Sequence, residues 1–464
     1  MLVFLEISNL ILQKILPVDF IESLHGLEGF REDDFLRAHA TGIPPVSIRL
    51  NPFKDWEGKE KLKDAERIPW CEDGFYLAER PSFTSDPVFH AGGYYVQEAS
   101  SMFLHQVLTQ LGAGEPEKIA IDLCAAPGGK STLLQSLLHS TSLLLSNEVI
   151  KTRVGVLQEN ILKWGFGNGI VTQSDPSRYG DAGPFADYLI VDAPCSGSGL
   201  FRKDEDAISQ WSLNQVDHCS LRQKRILEQS LPALKPGGYL VYSTCSFSKK
   251  ENEEIGNWLA RDQGLEPVRI NITANWNIVE THSEGCFGYR FYPDKLKGEG
   301  FFMAAFKKEG MGSPLFFKGK KKIGLTSPKT ISEIQDFVSN ADGYSLYSYA
   351  GKEVTFPSRY LSFLEWALGM FFVKQAGTVI GEMKQGELIP HHALAMSWQL
   401  HSHFPKINLN RENALQYLRR QNFELDATPG WKLLTYNHLP LGWAKVLPNR
   451  VNNYYPKEWR ILNM

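Results

Sequence analysis

The sequence predicts an α/β fold: a doubly wound, Rossmann-like parallel sheet with an N-terminal helical cap and a smaller α+β module behind it. Three observations carry this expectation. Between residues 118 and 306, short apolar runs alternate with stretches whose apolar residues recur at helical spacing. Near the ends of those runs stand polar or reactive residues (Cys124, Glu148, Asp175, Asp192 and Cys245), as happens when the carboxyl ends of strands line a ligand crevice. A lysine-rich run, Lys318-Gly-Lys-Lys-Lys322, then interrupts the pattern before an aromatic-rich stretch begins.

Residues 1–112 read as a cap of helices and irregular connections. Its first turns, Met1-Leu-Val-Phe-Leu-Glu-Ile, open an amphipathic helix ending at Pro17; they lack a basic leader and are not expected to be a signal peptide. Pro44-Pro-Val-Ser-Ile-Arg49-Leu-Asn-Pro52 is a stiff extended segment, and a helix is expected over 100–111 before a hinge at Gly112-Ala-Gly-Glu-Pro116. The sheet domain is expected over 113–310. Strands at 119–123, 143–147, 169–172, 188–191, 239–242 and around 300–306 alternate with helices at 130–138, 149–164, 216–234 and 249–261. Residues 311–345 read as a linker. From 346 to 464 the pattern gives an aromatic helix at 360–372, short strands at 377–382 and 388–390, and helices near 392–400 and 412–420. The tail carries Trp443, Arg450, Tyr454, Tyr455, Trp459 and Arg460. Interleaved aromatics and cations suit stacking on RNA, but Tyr and Trp fill small cores equally well.

Composition narrows the class. A chain of 464 residues with 43% hydrophobic and 22% charged residues is an ordinary globular protein of two to four domains. A net charge of −3 excludes a uniformly basic nucleic-acid coat, so any RNA contact must be local. The six cysteines lack metal-ligand spacing and His391-His392 are adjacent, so no metal is expected. No apolar run reaches membrane-spanning length, and a cytoplasmic location with reduced thiols is the expectation.

The loop Asp122-Leu-Cys-Ala-Ala-Pro-Gly-Gly-Lys130-Ser follows the first strand. It is no phosphate loop, because Cys124 stands where that pattern needs glycine, and it lacks the spaced glycines of a dinucleotide fingerprint. Cys124, Ala125, Ala126 and Pro127 make it small and mostly apolar. Gly128 and Gly129 allow close approach of a ligand, and the helix opening near Lys130 offers free N–H groups. Glu148, about 20 residues on, is placed to grip ribose hydroxyls. A nucleoside without phosphates fits, which points to S-adenosylmethionine.

Two other loops carry thiols: Asp192-Ala-Pro-Cys195-Ser-Gly-Ser-Gly199 and Ser243-Thr-Cys245-Ser. A lone cysteine is usually a small buried hydrophobe, but two at strand ends beside a nucleoside loop shift that balance. A thiol is needed when the methyl acceptor is itself inert. Carbon 5 of cytosine is such an acceptor: thiolate addition at carbon 6 makes carbon 5 nucleophilic, and a carboxylic acid such as Asp192 at ring nitrogen 3 eases the addition. The residues alone leave open which thiol attacks.

These three motifs, in this order, closely resemble those of the Sun-type RNA cytosine-5 methyltransferases. Tyr95-Val-Gln-Glu-Ala-Ser-Ser-Met102, Phe201-Arg-Lys-Asp204, Glu251-Asn-Glu253 and Gly300-Phe-Phe-Met-Ala304 are further blocks of the same kind, and the resemblance spans roughly residues 40–308. It implies a Rossmann-like methyltransferase sheet. Cys124 to Lys130, with Glu148, Asp175 and Asp192, would form the S-adenosylmethionine site; Ser174 is an alternative to Asp175 for the adenine contact. It implies Cys245 as nucleophile and Cys195 as the accessory thiol for product release. Pro440-Leu-Gly-Trp-Ala-Lys445 and Asn453-Tyr-Tyr-Pro-Lys-Glu-Trp-Arg460 resemble the PUA-like extension of bacterial members that modify small-subunit ribosomal RNA. RNA is thus the expected partner, with neither membrane nor obligate protein partner implied. Transfer RNA as substrate, or a non-catalytic ribosome-assembly role, are the alternatives.

Overall fold

A computed structural model of the chain describes residues 16–40, 43–310, 317–319, 322–339 and 343–462. The amphipathic helix expected before Pro17 and parts of the 311–345 linker, including Lys320 and Lys321, lie outside the described residues.

Near the amino end, the helices Val18–Leu24 and Glu32–Ala40 precede three short strands, β1 (Val46–Leu50), β2 (Gly74–Leu77) and β3 (Tyr94–Val96). These pair in the order β2-β1-β3, so the cap is helical only in part. The extended Pro44–Pro52 segment is its central strand; β2 and β3, at four and three residues, are too short to show a period in sequence.

The main sheet contains β4 (Ile119–Asp122), β5 (Leu143–Asn147), β6 (Gly169–Thr172), β7 (Ala186–Asp192), β8 (Leu234–Thr244), β9 (Leu265–Val268), β10 (Val279–Ser283), β11 (Cys286–Phe291) and β12 (Phe301–Lys308). Its order is β10-β11-β12-β8-β7-β4-β5-β6, with β9 on β12. Strands β6, β5, β4, β7 and β8 run parallel, and β12 enters antiparallel to β8. Their apolar runs are buried on both faces, as parallel strands covered by helices require. The strand order reverses between β4 and β7, and that switch point opens the crevice described below. Two expectations shift. The helix over 216–234 is Leu213–Ser230, and Pro236-Gly-Gly falls inside β8, where the pairing with β7 slips register. The β10–β11 hairpin went unpredicted because Val279-Glu-Thr-His-Ser283 is polar, with only Thr281 buried.

The boundary expected at residue 345 separates stretches of sequence rather than of packing. Strand Val373–Ala376 pairs antiparallel to β6 and extends the main sheet. Phe371 stacks on Tyr179 at 4.6 Å, and Phe363 and Trp366 pack on Phe185. The last sheet, ordered from Lys406–Asn408 through Gly430–Tyr436 and Leu439–Leu447 to Arg450–Asn453, shares a core with the cap: Ile48, Leu50 and Tyr94 pack with Leu434, Leu441 and Tyr455. Tyr455 is buried there and Trp443 in a separate core with Phe404 and Trp431, so those two aromatics belong to cores and not to a stacking surface; Arg450 and Arg460 are exposed.

Arg49 ties the cap to the main domain. Its guanidinium is buried without a carboxylate partner among the described residues, donating to Gln97 Oε1 (2.9 Å), Thr132 Oγ1 (2.6 Å) and Gly129 O (3.2 Å), and it lies 4.5 Å from the Trp164 ring centre. Burial lowers its affinity for the proton to a pKa of about 10, so it stays charged at neutral pH. Arg49→Met keeps the apolar stem but strands these acceptors, each costing about 1–3 kcal/mol. Chemical denaturation is expected to show a loss of about 3 kcal/mol; a loss below about 1 kcal/mol would mean that this tie is not what holds the cap.

Candidate active site

The crevice is built from strand ends. Beyond β4 the chain turns through Cys124, Ala125, Ala126 and Pro127 into the helix Gly129–Leu137. Gly128 has φ +119°, which an L side chain rarely adopts, and a Cβ on Gly129 would stand 3.3 Å from the Tyr95 ring of β3. The loop backbone is fastened from the β5 side: Ala125 N donates to Asn147 O (2.8 Å), and Arg153 Nη2 donates to Ala126 O (2.6 Å). Asp122, fully buried at the end of β4, accepts from the Ser131 hydroxyl (2.7 Å) through Oδ2, while Oδ1 has no partner among the described residues. Burial pushes this carboxyl up to about 7.

Glu148 is buried just past β5. Its Oε1 accepts from Ile150 N (2.8 Å), and its Oε2 lies 3.3 Å from Arg153 Nη1. Asp175 is exposed and caps the helix Pro176–Asp181, with Oδ1 accepting from the Ser177 N–H (3.0 Å) and hydroxyl (2.8 Å). Those bonds hold its carboxyl below the usual range. Ser174 beside it is buried, and its hydroxyl accepts from Phe372 N (2.9 Å). So Asp175 stands at the rim with its side chain turned to its own helix, and Ser174 is engaged by the carboxy-terminal segment.

At the ends of β7 and β8 the charges and thiols meet. Lys130 Nζ lies 2.7 Å from Asp192 Oδ2, and the Ser243 hydroxyl donates to Asp192 Oδ1 (2.7 Å). Burial alone would lower the Lys130 ammonium, but the Asp192 carboxylate outweighs it and holds the group above its ordinary range. Cys195 Sγ lies 3.0 Å from Cys245 Sγ, although 50 residues separate them in the chain. The hydrogen bond to Cys245, burial and the charge of Glu251 together push the Cys195 thiol well above its ordinary range. Cys124 is raised too, by burial. Among the described residues, no group of three or more His, Cys, Asp or Glu is placed to hold a metal ion, and no helix is long and apolar enough to cross a membrane.

The structure also brings Asp122, Asn147, Arg153, Tyr95 and Glu251 to this crevice, none of which the sequence analysis gave a role. Asp122 had a visible signal, a carboxylate at a strand's carboxyl end. Arg153 and Asn147 had none, because their work is to hold backbone that sequence spacing does not bring near.

The donor set fits a nucleoside carrying an amino-acid tail. An unpartnered carboxylate oxygen on Asp122, a glycine turn without side chains and a carboxylate beyond β5 all border the switch point. Comparison with known proteins agrees. Residues 16–99 match the N-terminal domain of 16S rRNA methyltransferase RsmF, residues 109–307 match 16S rRNA methyltransferase RsmB/F, and residues 404–461 match the methyltransferase RsmF PUA domain. Ribosomal RNA small subunit methyltransferase F of Shewanella oneidensis is 31% identical over 92% of this chain and 93% of its own length. Its counterpart in Vibrio vulnificus is 28% identical over 96% and 97%. Among solved structures, a methyltransferase homolog protein from Pyrococcus horikoshii is 30% identical, with a TM-score of 0.52, covering 62% of this chain and 93% of that one. NSun6 from the same organism, solved with SFG, shares the fold at a TM-score of 0.53 and 20% identity, over 64% of this chain and 100% of its own. With matched models for cap, catalytic sheet and tail, and relatives aligned over nearly their whole length, the chain belongs to the RsmB/F family of S-adenosylmethionine-dependent RNA methyltransferases.

Proposed function

We propose that this enzyme forms 5-methylcytosine in 16S ribosomal RNA through a covalent bond between Cys245 and carbon 6 of the target base. The observation that supports this most directly is the pair of thiols from two strand ends, 3.0 Å apart and next to the Lys130–Asp192 pair. S-adenosylmethionine supplies an electrophilic methyl group on a sulfonium. The chain supplies the rest. Glu148 would accept from the ribose hydroxyls, the Cys124–Gly129 turn would hold the amino-acid tail, and Ser174 or Asp175 would contact the adenine.

The sulfur of Cys245 adds to carbon 6, and the electrons of the 5,6 double bond move into the ring, where a proton at ring nitrogen 3 takes up the charge; Asp192 is assigned to deliver that proton, which it can carry only when released from its pair with Lys130. Carbon 5 then takes the methyl group. Loss of the carbon-5 proton to a base and breaking of the carbon–sulfur bond return an aromatic ring and free Cys245. Cys195 is assigned to that release. The motif resemblance supports giving the nucleophile's part to Cys245. The exposed Arg450 and Arg460 of the PUA-like tail are available to RNA phosphates.

The test is transfer of a labelled methyl group to three purified pools: naked 16S ribosomal RNA, small ribosomal subunits and transfer RNA. Labelled 5-methylcytosine is expected in the ribosomal pools. Label in transfer RNA alone would move the substrate assignment, and label on any atom other than cytosine carbon 5 would overturn the chemistry.

A further inference from the structure

The carboxylate of Glu251 is buried, and it is bonded to the residue that follows each thiol. Its Oε1 accepts from Ser196 N (2.8 Å) and from the Gln223 side-chain amide (3.1 Å). Its Oε2 accepts from the Ser196 hydroxyl (2.5 Å) and the Ser246 hydroxyl (2.6 Å). Burial raises this carboxyl above its ordinary range, and the four donors that meet it offset that in part by favouring the ionised form. The next two residues hold the same loop from its other side. Asn252 accepts from the Thr244 hydroxyl (2.6 Å) and donates to Ser246 O (2.8 Å). Glu253 pairs with Arg290, whose Nη1 donates to Phe247 O (2.8 Å). Three consecutive polar residues thus fasten residues 244 to 247, and the first of them alone reaches across to the Cys195 loop.

We propose that Glu251 is a positioning residue for methyl transfer: by binding Ser196 and Ser246 to the same two oxygens, it holds Cys195 against Cys245. The proposal rests on the roles assigned to the two thiols above, and it adds a cause for their spacing. Cys195 and Cys245 sit on loops that enter from different strands; Asp192 accepts from Ser243 where the two loops begin, and Glu251 bonds the residue that follows each thiol. A shift of about 1 Å at a reacting centre costs on the order of 100-fold in rate. Without Glu251, the loops keep their direct contacts (Gly199 N to Cys245 O, 2.8 Å; Phe247 N to Ser198 Oγ, 3.0 Å; the Ser196 and Ser246 hydroxyls, 3.2 Å) but lose the carboxylate that bonds the residue next to each thiol.

The spacing can be read without any methyl transfer. Diamide takes two electrons and two protons from a pair of neighbouring thiols; a sulfur–sulfur bond forms and the diazene becomes a hydrazine. In the wild-type enzyme it should close Cys195–Cys245 rapidly, and mass spectrometry of the thiol-trapped protein follows the rate. Glu251→Ala is expected to slow that closure at least tenfold and single-turnover methyl transfer about 100-fold, with the dissociation constant for S-adenosylmethionine changed less than twofold. Glu251→Gln, which keeps one acceptor oxygen, should fall between. Ser246→Ala removes a single arm and guards against an unfolded Glu251→Ala; its closure should slow several-fold. Closure at the wild-type rate in a folded Glu251→Gln and Ser246→Ala pair would overturn the positioning role, as would equal losses in closure and cofactor affinity, the mark of a merely structural residue. Because closure needs no RNA, a failure of the cytosine-5 reading would leave this measurement intact and be recognised separately.

Discussion

Cys195→Ala should accumulate a protein–RNA adduct that survives denaturing gels, whereas Cys245→Ala should form none and should lose methyl transfer by about a thousandfold or more. The difference follows from which bond each sulfur serves. If Cys245 makes the bond to carbon 6, its removal leaves cytosine an inert acceptor, however well the cofactor is bound. If Cys195 assists only the last step, attack and methyl transfer proceed once and stall with the carbon–sulfur bond unbroken. Both sulfurs lie within 3.0 Å of each other, so geometry alone does not divide the labour; the trapped species does. Cofactor affinity should be unchanged in Cys245→Ala, because Lys130 and Asp192 hold each other without its help. An adduct in Cys245→Ala with turnover abolished in Cys195→Ala would exchange the two roles. Normal turnover in Cys195→Ala would remove the release role altogether.

How much of this could be read beforehand divides along chain locality. The strand ends Glu148, Asp192 and Cys245 and the turn Cys124–Gly129 are local features, each a short apolar run followed by an unusual polar residue, and all of them border one crevice. What sequence does not encode locally was missed. Arg153 reaches Ala126 over 27 residues and Glu251 reaches Ser196 over 55, and sequence spacing shows neither of these contacts. The buried Trp443 and Tyr455 make the same point in reverse. Their residue types suit RNA stacking, and only tertiary packing, of Tyr455 against the cap and of Trp443 against Phe404 and Trp431, decides between core and surface. The joining of Val373–Ala376 to β6 was hidden because an edge strand with one exposed and three half-buried residues leaves almost no hydrophobic period.

Gly199→Ala should cost about 100-fold in single-turnover rate while leaving S-adenosylmethionine affinity within about twofold. Gly199 ends the Cys195 loop, and its N–H donates to Cys245 O (2.8 Å), so the two thiol loops touch backbone to backbone there. A Cβ at this position would stand 2.2 Å from Gly300 O and 2.8 Å from Cys245 O. Neither contact is with a flexible side chain, and Gly300 itself cannot retreat freely, being packed against the Phe247 ring. The methyl group must therefore open the junction of the two loops, and overpacking of this kind also costs stability, about 1–3 kcal/mol. The cofactor turn lies on β4, away from this junction, which is why affinity should hold. Gly155→Ala is the matched control: it sits mid-helix in Lys151–Trp164, a Cβ there meets nothing within 4 Å, and the change should raise stability by about 0.5–1 kcal/mol without altering the rate. A Gly199→Ala enzyme that transfers methyl groups at the wild-type rate would show that the thiol loops have slack that their backbone contact does not suggest, and Glu251 could not then be what limits their spacing.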